Sequence, residues 1–216
     1  MSMIRAAIFD LDGTLLDTEI LWVEATYAYL QASGCDPVYA DVLKIVYGRS
    51  WRQVYADVVK KYNMGHVSIQ AMDEILLGMI QARKAQQSGL VLAGSVALLR
   101  ELALQMPVCI VSGSPRKAIQ EAVDLLQIED YLAFYIGAEE YLIGKPDPTC
   151  FQMAIDRLGV PAGECVVFED SAAGVHAAKD AGALCVALAR PDRPSQDIKR
   201  ADLVLADLGD FTLATL

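Results

Sequence analysis

Short apolar runs alternate with amphipathic helical patterns along most of this chain, and this alternation constrains the fold more than any other feature. Near-continuous apolar runs occur at residues 4–9, 108–111, 165–168 and 184–188, and shorter ones lie at 134–136 and around Val204. Strands that are apolar at every position are typical of a parallel sheet buried on both faces. We therefore predict an α/β protein with a doubly wound, Rossmann-like parallel sheet.

Helix start and stop signals separate the predicted strands. Ser114 and Pro115 have the residue types of an N-cap and a first helical position. Asp147 and Pro148 open another helical pattern, and Gly159 follows it as a C-terminal stop. These signals predict helices that cross over between neighbouring parallel strands.

One segment departs from the alternation. Residues 16–88 have apolar residues at helical spacing and contain no convincing strand. We therefore predict an α-helical cap domain at residues 16–89, inserted after the first strand of a catalytic core. That core would comprise residues 1–15 and 90–216.

The composition excludes several classes of partner. The 28 acidic residues outnumber the 18 basic ones and give a net charge of -10, which disfavours nucleic acid and anionic membrane. No apolar run approaches the roughly 20 residues that span a bilayer. The five cysteines are scattered and lack a C-x-x-C pair, so we expect reduced thiols and a cytoplasmic location. We also expect a monomer or weak dimer.

Acidic residues stand at the carboxyl ends of two predicted strands. Asp10 and Asp12 follow the first strand, and Glu169 with Asp170 follows a later one. Ligands bind at this edge of an open parallel sheet. A buried carboxylate loses hydration unless it meets a cation or a donor, so a metal ion is the simplest partner. A turn before Gly13 would explain the first pair equally well.

Two further sites have the same position in the predicted topology. Ser112 and Gly113 end a strand and lead into a helix N-terminus, where N–H groups suit a phosphate oxyanion. An ordinary helix cap is the alternative. Lys145 lies between Gly144 and Pro146, and a solvated loop lysine is the alternative there.

Taken in order, these residues resemble the four motifs of the haloacid dehalogenase superfamily. The motifs are D-x-D-G-T beginning at Asp10, the serine at Ser112, G-K-P-D-P around Lys145, and F-E-D-S containing Glu169 and Asp170. The resemblance covers essentially the whole chain. The helical block is similar to the mobile cap of the phosphoglycolate phosphatase and β-phosphoglucomutase branch.

This resemblance implies a Mg²⁺-dependent phosphatase that hydrolyses a small phosphorylated metabolite, such as a sugar phosphate or a phosphoglycolate-like compound. Asp10 would be the nucleophile that forms an aspartyl-phosphate, and Asp12 the general acid and base. Ser112, Gly113 and Lys145 would bind the phosphate, with Ser112 and Lys145 also acting in catalysis.

The resemblance also implies a ligand set for Mg²⁺. It consists of the Asp10 carboxylate, the Asp12 backbone carbonyl and Asp170, with Glu169 bound directly or through water.

The cap would select the substrate. Arg49 and Trp51 are candidates for reading a sugar or a carboxylate, although a packed helix start explains them equally well. Glu19 is a further candidate at the junction between cap and core.

Two alternatives remain open. The first is a phosphosugar mutase of the β-phosphoglucomutase type. Such mutases place a histidine about ten residues after the second aspartate, where this chain has Trp22. The second is a non-enzymatic phosphoacceptor or binding module, which would need neither a leaving-group acid at Asp12 nor a cap.

Overall fold

The computed structural model describes residues 3–47, 49, 51–84 and 90–215. The chain divides into two compact units, one formed by Met1–Leu16 with Val91–Leu216 and the other by Asp17–Leu90. The predicted boundary between residues 89 and 90 adjoins residues 85–89, which are outside the described part.

The first unit contains all the strands of the described chain. They are β1 (Ala6–Phe9), β2 (Val108–Val111), β3 (Phe134–Ile136), β4 (Cys165–Glu169), β5 (Leu184–Leu188) and β6 (Leu203–Leu205). Every pairing is parallel, and the order across the sheet is β3-β2-β1-β4-β5-β6. The predicted doubly wound parallel sheet is therefore confirmed.

Eight α-helices occur in the described residues. The second unit holds α1 (Glu19–Ala32), α2 (Tyr39–Val46), α3 (Trp51–Tyr62) and α4 (Ile69–Lys84). The first unit holds α5 (Ala93–Ala103), α6 (Arg116–Leu126), α7 (Thr149–Leu158) and α8 (Ala172–Asp180). None of these helices has the length and apolar character needed to cross a membrane.

Side chains alternate between the two faces of the sheet because successive strand residues point in opposite directions. Ala6 and Ile8 of β1 belong to one buried cluster with residues of α7 and α8. Phe9 faces the other side and stacks on Phe168 with ring centroids 4.5 Å apart, and Phe211 meets Phe168 edge-on at 5.0 Å. The strands are thus held from both sides, which fixes where their carboxyl ends lie.

The predicted start of α6 is wrong by one residue, and Ser114 is not its N-cap. The helix begins at Arg116 after Pro115, with no side-chain cap hydrogen bond. The Ser114 hydroxyl instead donates to the Asp12 carboxylate. At α7, the helix begins at Thr149, so Asp147 precedes it by two residues.

The C-terminal stop of α7 is confirmed. Gly159 has a left-handed φ of 67° immediately after Leu158. This conformation suits glycine, which has no Cβ.

Candidate active site

Asp10 follows β1, the strand paired with both β2 and β4, so it lies centrally at the carboxyl edge of the sheet. Its backbone N–H donates to the Phe168 carbonyl at 2.9 Å, continuing the strand pairing by one residue. Its side chain is buried, and Oδ1 accepts a hydrogen bond from Lys145 Nζ at 2.6 Å. The other oxygen, Oδ2, is also buried and has no hydrogen-bond partner among the described residues.

Lys145 joins the acids that come from two different strands. Its Nζ donates to Asp10 Oδ1 at 2.6 Å, to Glu169 Oε1 at 2.7 Å and to the Val111 carbonyl at 3.2 Å. All three ammonium donors are thereby used. The solvated-lysine alternative is wrong, because only 11% of this side chain is exposed.

The electrostatics of this cluster follow from one ammonium facing two buried carboxylates. Burial lowers the pKa of Lys145, but the negative charges of Asp10 and Glu169 outweigh it and hold that pKa above its ordinary value. Burial raises the pKa of Asp10 to about 8 despite Lys145, and the charges of Glu169 and Asp12 add to the rise. The unpaired Asp10 oxygen therefore lies where a second cation would be favourable.

Both carboxylate oxygens of Glu169 accept hydrogen bonds. Its Oε2 accepts from the backbone N–H groups of Asp170 and Ser171 and from the Ser171 hydroxyl, each at 2.9 Å. Its Oε1 accepts from Lys145. A Cβ on Gly174 would lie 1.7 Å from Oε1, so the glycine makes room for this carboxylate. Both Glu169 oxygens are thus engaged.

Asp170 faces the turn that follows Asp10. The Thr14 hydroxyl approaches its Oδ1 at 3.4 Å. Gly13 has a φ of 92°, and a Cβ there would lie 2.2 Å from Asp170 Oδ2. A glycine is therefore required both by the backbone conformation and by the closeness of the carboxylate.

The three acids meet the geometric requirement for a metal site. One carboxylate oxygen from each of Asp10, Glu169 and Asp170 lies within 4.8 Å of the others, and all three residues are buried. The donor set is entirely oxygen, the ligand type that hard cations such as Mg²⁺ prefer. The unpartnered Asp10 Oδ2 supports the same assignment.

Asp12 points toward the serine loop that follows β2. Its Oδ2 accepts from Ser112 Oγ at 3.1 Å and from Ser114 Oγ at 2.6 Å. The Ser114 N–H donates in turn to Ser112 Oγ at 2.9 Å. Hydroxyl groups of the serine loop thus bind the Asp12 side chain, and among the described residues the candidate metal group comprises Asp10, Glu169 and Asp170.

The remaining predicted residues lie in the Asp17–Leu90 unit. Glu19 is the first residue of α1, and Trp51 is the first residue of α3. The Trp51 ring lies 5.7 Å from that of Trp22. Arg49 is exposed and forms an ion pair with Asp57. The structure thus brings together the residues predicted from the four motifs, while these three belong to the other unit.

Two residues that contribute to the site were not among the predicted site residues. Ser114 has a detectable signal, a small hydroxyl residue after a strand, which also fits a helix cap. Tyr141, whose hydroxyl donates to the Ser112 carbonyl at 2.8 Å, has no sequence signal of its own.

The chain matches the haloacid dehalogenase-like hydrolase family over residues 4–182. It is 32% identical over 209 residues to validoxylamine A 7'-phosphate phosphatase of Streptomyces hygroscopicus subsp. limoneus, with 95% of each chain covered. It is 28% identical over 182 residues to the phosphorylated carbohydrates phosphatase of Thermotoga maritima, with 82% of each covered.

A solved structure agrees in fold. β-Phosphoglucomutase of Clostridium difficile superposes with a TM-score of 0.73 at 24% identity, covering 97% of this chain and 94% of that one. This likeness concerns the fold alone. From the family match and the first relative, the chain belongs to the haloacid dehalogenase-like hydrolase family and is an enzyme.

Proposed function

We propose that the protein is a Mg²⁺-dependent phosphatase that hydrolyses a small phosphomonoester through an aspartyl-phosphate on Asp10. The observation that carries the proposal is the state of the Asp10 carboxylate. One oxygen is held by Lys145, while the other is buried and unpartnered within the described chain. A carboxylate that has one oxygen held by a donor and the other oxygen unbonded can act as a nucleophile beside a cation.

We assign the metal to Asp10 and Asp170, with the Asp12 backbone carbonyl as a third protein ligand. Glu169 contacts the metal through a water molecule, because its oxygens already accept hydrogen bonds from Lys145 and from three local donors. Bound Mg²⁺ would offset negative charge shared by the acids and the phosphate. The acidic net charge of -10 makes such compensation necessary for an anionic substrate.

The chain's own residues divide the reaction into two steps. In the first, an Asp10 oxygen bonds to phosphorus as the bond to the alkoxide leaving group breaks, and Asp12 gives that alkoxide a proton. In the second, water attacks the phosphorus, Asp12 takes a proton from it, and Asp10 leaves as a carboxylate. The Gly113 N–H donates to a phosphate oxygen, and the Ser112 hydroxyl donates to another when bound phosphate replaces its bond to Asp12 Oδ2. Lys145 balances the charge of these oxygens.

We further propose that the helical unit Asp17–Leu90 acts as the cap and governs the choice of substrate. Two of the relatives are named as a validoxylamine A 7'-phosphate phosphatase and as a phosphorylated carbohydrates phosphatase. We therefore propose a sugar phosphate or a phosphoglycolate-like compound as the substrate, and a cytoplasmic location for the enzyme. Arg49 and Trp51 are the residues we expect to change substrate ranking when replaced, and Glu19 is a third candidate.

A phosphosugar mutase is the second candidate, since a β-phosphoglucomutase shares the fold. Trp22 occupies the position where the resemblance leads us to expect a mutase histidine, so hydrolysis is favoured. Membership of a hydrolase family likewise favours an enzyme over a phosphoacceptor module.

The test is phosphate release from a panel of phosphorylated metabolites with Mg²⁺, ranked by kcat/KM. We expect steady hydrolysis by the wild type and its loss in Asp10→Asn. Asp180→Asn is the matched control, because Asp180 forms an exposed ion pair with Arg200. Conversion of a sugar phosphate into its isomer without phosphate release would favour the mutase. Full activity in Asp10→Asn would overturn the proposal.

A further inference from the structure

The Ser112–Gly113 peptide is held at one end and free at the other. Its carbonyl, on Ser112, accepts from the Tyr141 hydroxyl at 2.8 Å. Its N–H, on Gly113, has no hydrogen-bond partner within the residues the structure describes. Gly113 is exposed, and a Cβ there would meet nothing within 4 Å. The free N–H therefore belongs to an open stretch of backbone.

A planar trans peptide directs its C=O and its N–H to opposite sides. Fixing the carbonyl consequently fixes the direction of the N–H. A peptide that ends in glycine needs such a restraint, because glycine accepts many φ and ψ values and allows the plane to rotate. Tyr141 provides the side-chain restraint on this carbonyl.

The neighbouring bonds restrain the loop but not this peptide plane. The Ser112 N–H donates to the Ile136 carbonyl at 3.1 Å, and the Ala138 N–H donates to the Ser114 carbonyl at 3.0 Å. Both bonds lie outside the plane between Ser112 and Gly113. The Tyr141 ring packs against the buried cluster of the sheet, so its hydroxyl has a firm support.

We propose that Tyr141 is a positioning residue that locks the Ser112–Gly113 peptide and so presents the Gly113 N–H to a phosphate oxygen. The inference rests on the proposed function, because it needs a phosphate bound at the serine loop. Tyr141 itself does not touch the phosphate. It acts through the orientation of one backbone donor.

The test is Tyr141→Phe, which keeps the packed ring and removes only the hydroxyl. Tyr135→Phe is the matched control, because the Tyr135 hydroxyl donates to Gln120 Oε1 at 2.8 Å and does not reach the serine loop. The two variants are compared with the wild type by kcat, KM, Tm and competitive inhibition by inorganic phosphate. The Gly113 amide resonance is followed by NMR during a phosphate titration with Mg²⁺ present.

In Tyr141→Phe we expect kcat/KM to fall and inhibition by phosphate to weaken by about three- to tenfold, the effect of one net hydrogen bond. The phosphate-induced shift of the Gly113 amide should shrink, while Tm stays close to that of the wild type. Tyr135→Phe should remain within about twofold of the wild type in every kinetic value.

Two negative results have different meanings. If the wild type hydrolyses substrate and Tyr141→Phe retains its phosphate inhibition and Gly113 shift, the positioning role is overturned while the phosphatase stands. If the wild type neither releases phosphate nor shows a Gly113 shift, the proposed function fails and the inference fails with it.

Discussion

Replacing Lys145 by methionine tests whether the ammonium holds the two buried acids together. Methionine keeps an unbranched stem beside the Phe151 ring, which lies 4.8 Å from Lys145 Nζ, so the change mainly removes the charge. The side chains of Asp10 and Glu169 are only 8% and 1% exposed, so water cannot replace the lost donor freely. Removing one partner of a buried ion pair costs about 3–5 kcal/mol of unfolding free energy.

The assay is urea unfolding of the metal-free protein in EDTA, followed by far-UV circular dichroism. Both tryptophans, Trp22 and Trp51, lie in the Asp17–Leu90 unit, so their fluorescence follows that unit separately. We expect the circular dichroism transition to move to lower urea while the fluorescence transition shifts less. The activity of Lys145→Met should also fall by at least about 10²-fold.

Lys179→Met is the control. Lys179 forms a 2.6 Å ion pair with Asp202 in the same unit, but the two side chains are 22% and 30% exposed. Partly solvated pairs of this kind contribute about 0–1 kcal/mol. If Lys145→Met is no less stable than Lys179→Met, the acids do not depend on Lys145 and the reasoning about the cluster is refuted.

Four further predictions concern the turn, the metal and the thiols. Gly13→Ala should abolish Mg²⁺ binding in calorimetry, because its Cβ would lie 2.2 Å from Asp170 Oδ2. Mg²⁺ at a hundredfold its Kd should raise the unfolding free energy by about 2.7 kcal/mol in the wild type but not in Asp170→Asn. Burial raises the pKa of Cys165 to about 11 and that of Cys185 to about 12, so a thiol reagent at pH 8 should label Cys35 first. These raised pKa values predict that the unfolding free energy falls above pH 9, because there the two thiols ionise in the unfolded chain but stay protonated in the folded protein.

The first three of these predictions have the following checks. Gly34→Ala also replaces a glycine with positive φ, but nothing lies within 4 Å of its Cβ, so it should lose some stability and keep Mg²⁺ binding. A Ca²⁺-free Mg²⁺ titration that stabilises Asp170→Asn as much as the wild type would contradict the ligand assignment. Rapid labelling of all five cysteines in the native protein would contradict the burial argument.

The strands were predictable because burial on both faces leaves a plain signature. Val108–Val111 and Cys165–Glu169 are apolar almost throughout, and both appear as strands. The spatial order of the strands could not be predicted in this way, because no local sequence pattern indicates that β1 lies between β2 and β4. That order depends on packing across the whole unit.

For the candidate site too, some features could be predicted from the sequence and others could not. The four motifs predict which residues belong to it, and the structure brings Asp10, Lys145 and Glu169 into direct contact. The spacing of the motifs does not predict which hydrogen-bond partner each side chain has. Ser114 was predicted to cap a helix, yet its hydroxyl donates to Asp12 across 102 positions of the chain. Tyr141 reaches Ser112 from a loop whose conformation depends on tertiary packing.

Chemical trapping at Asp10 tests the central claim most directly. An acyl phosphate on this carboxylate is reduced by borohydride to homoserine, whereas a free carboxylate is not. During turnover of a hydrolysed substrate with Mg²⁺, quenching into borohydride should give homoserine at position 10, detected by mass spectrometry of the peptide. Continued turnover with only unmodified aspartate at position 10, or with the label on another residue, would contradict the account.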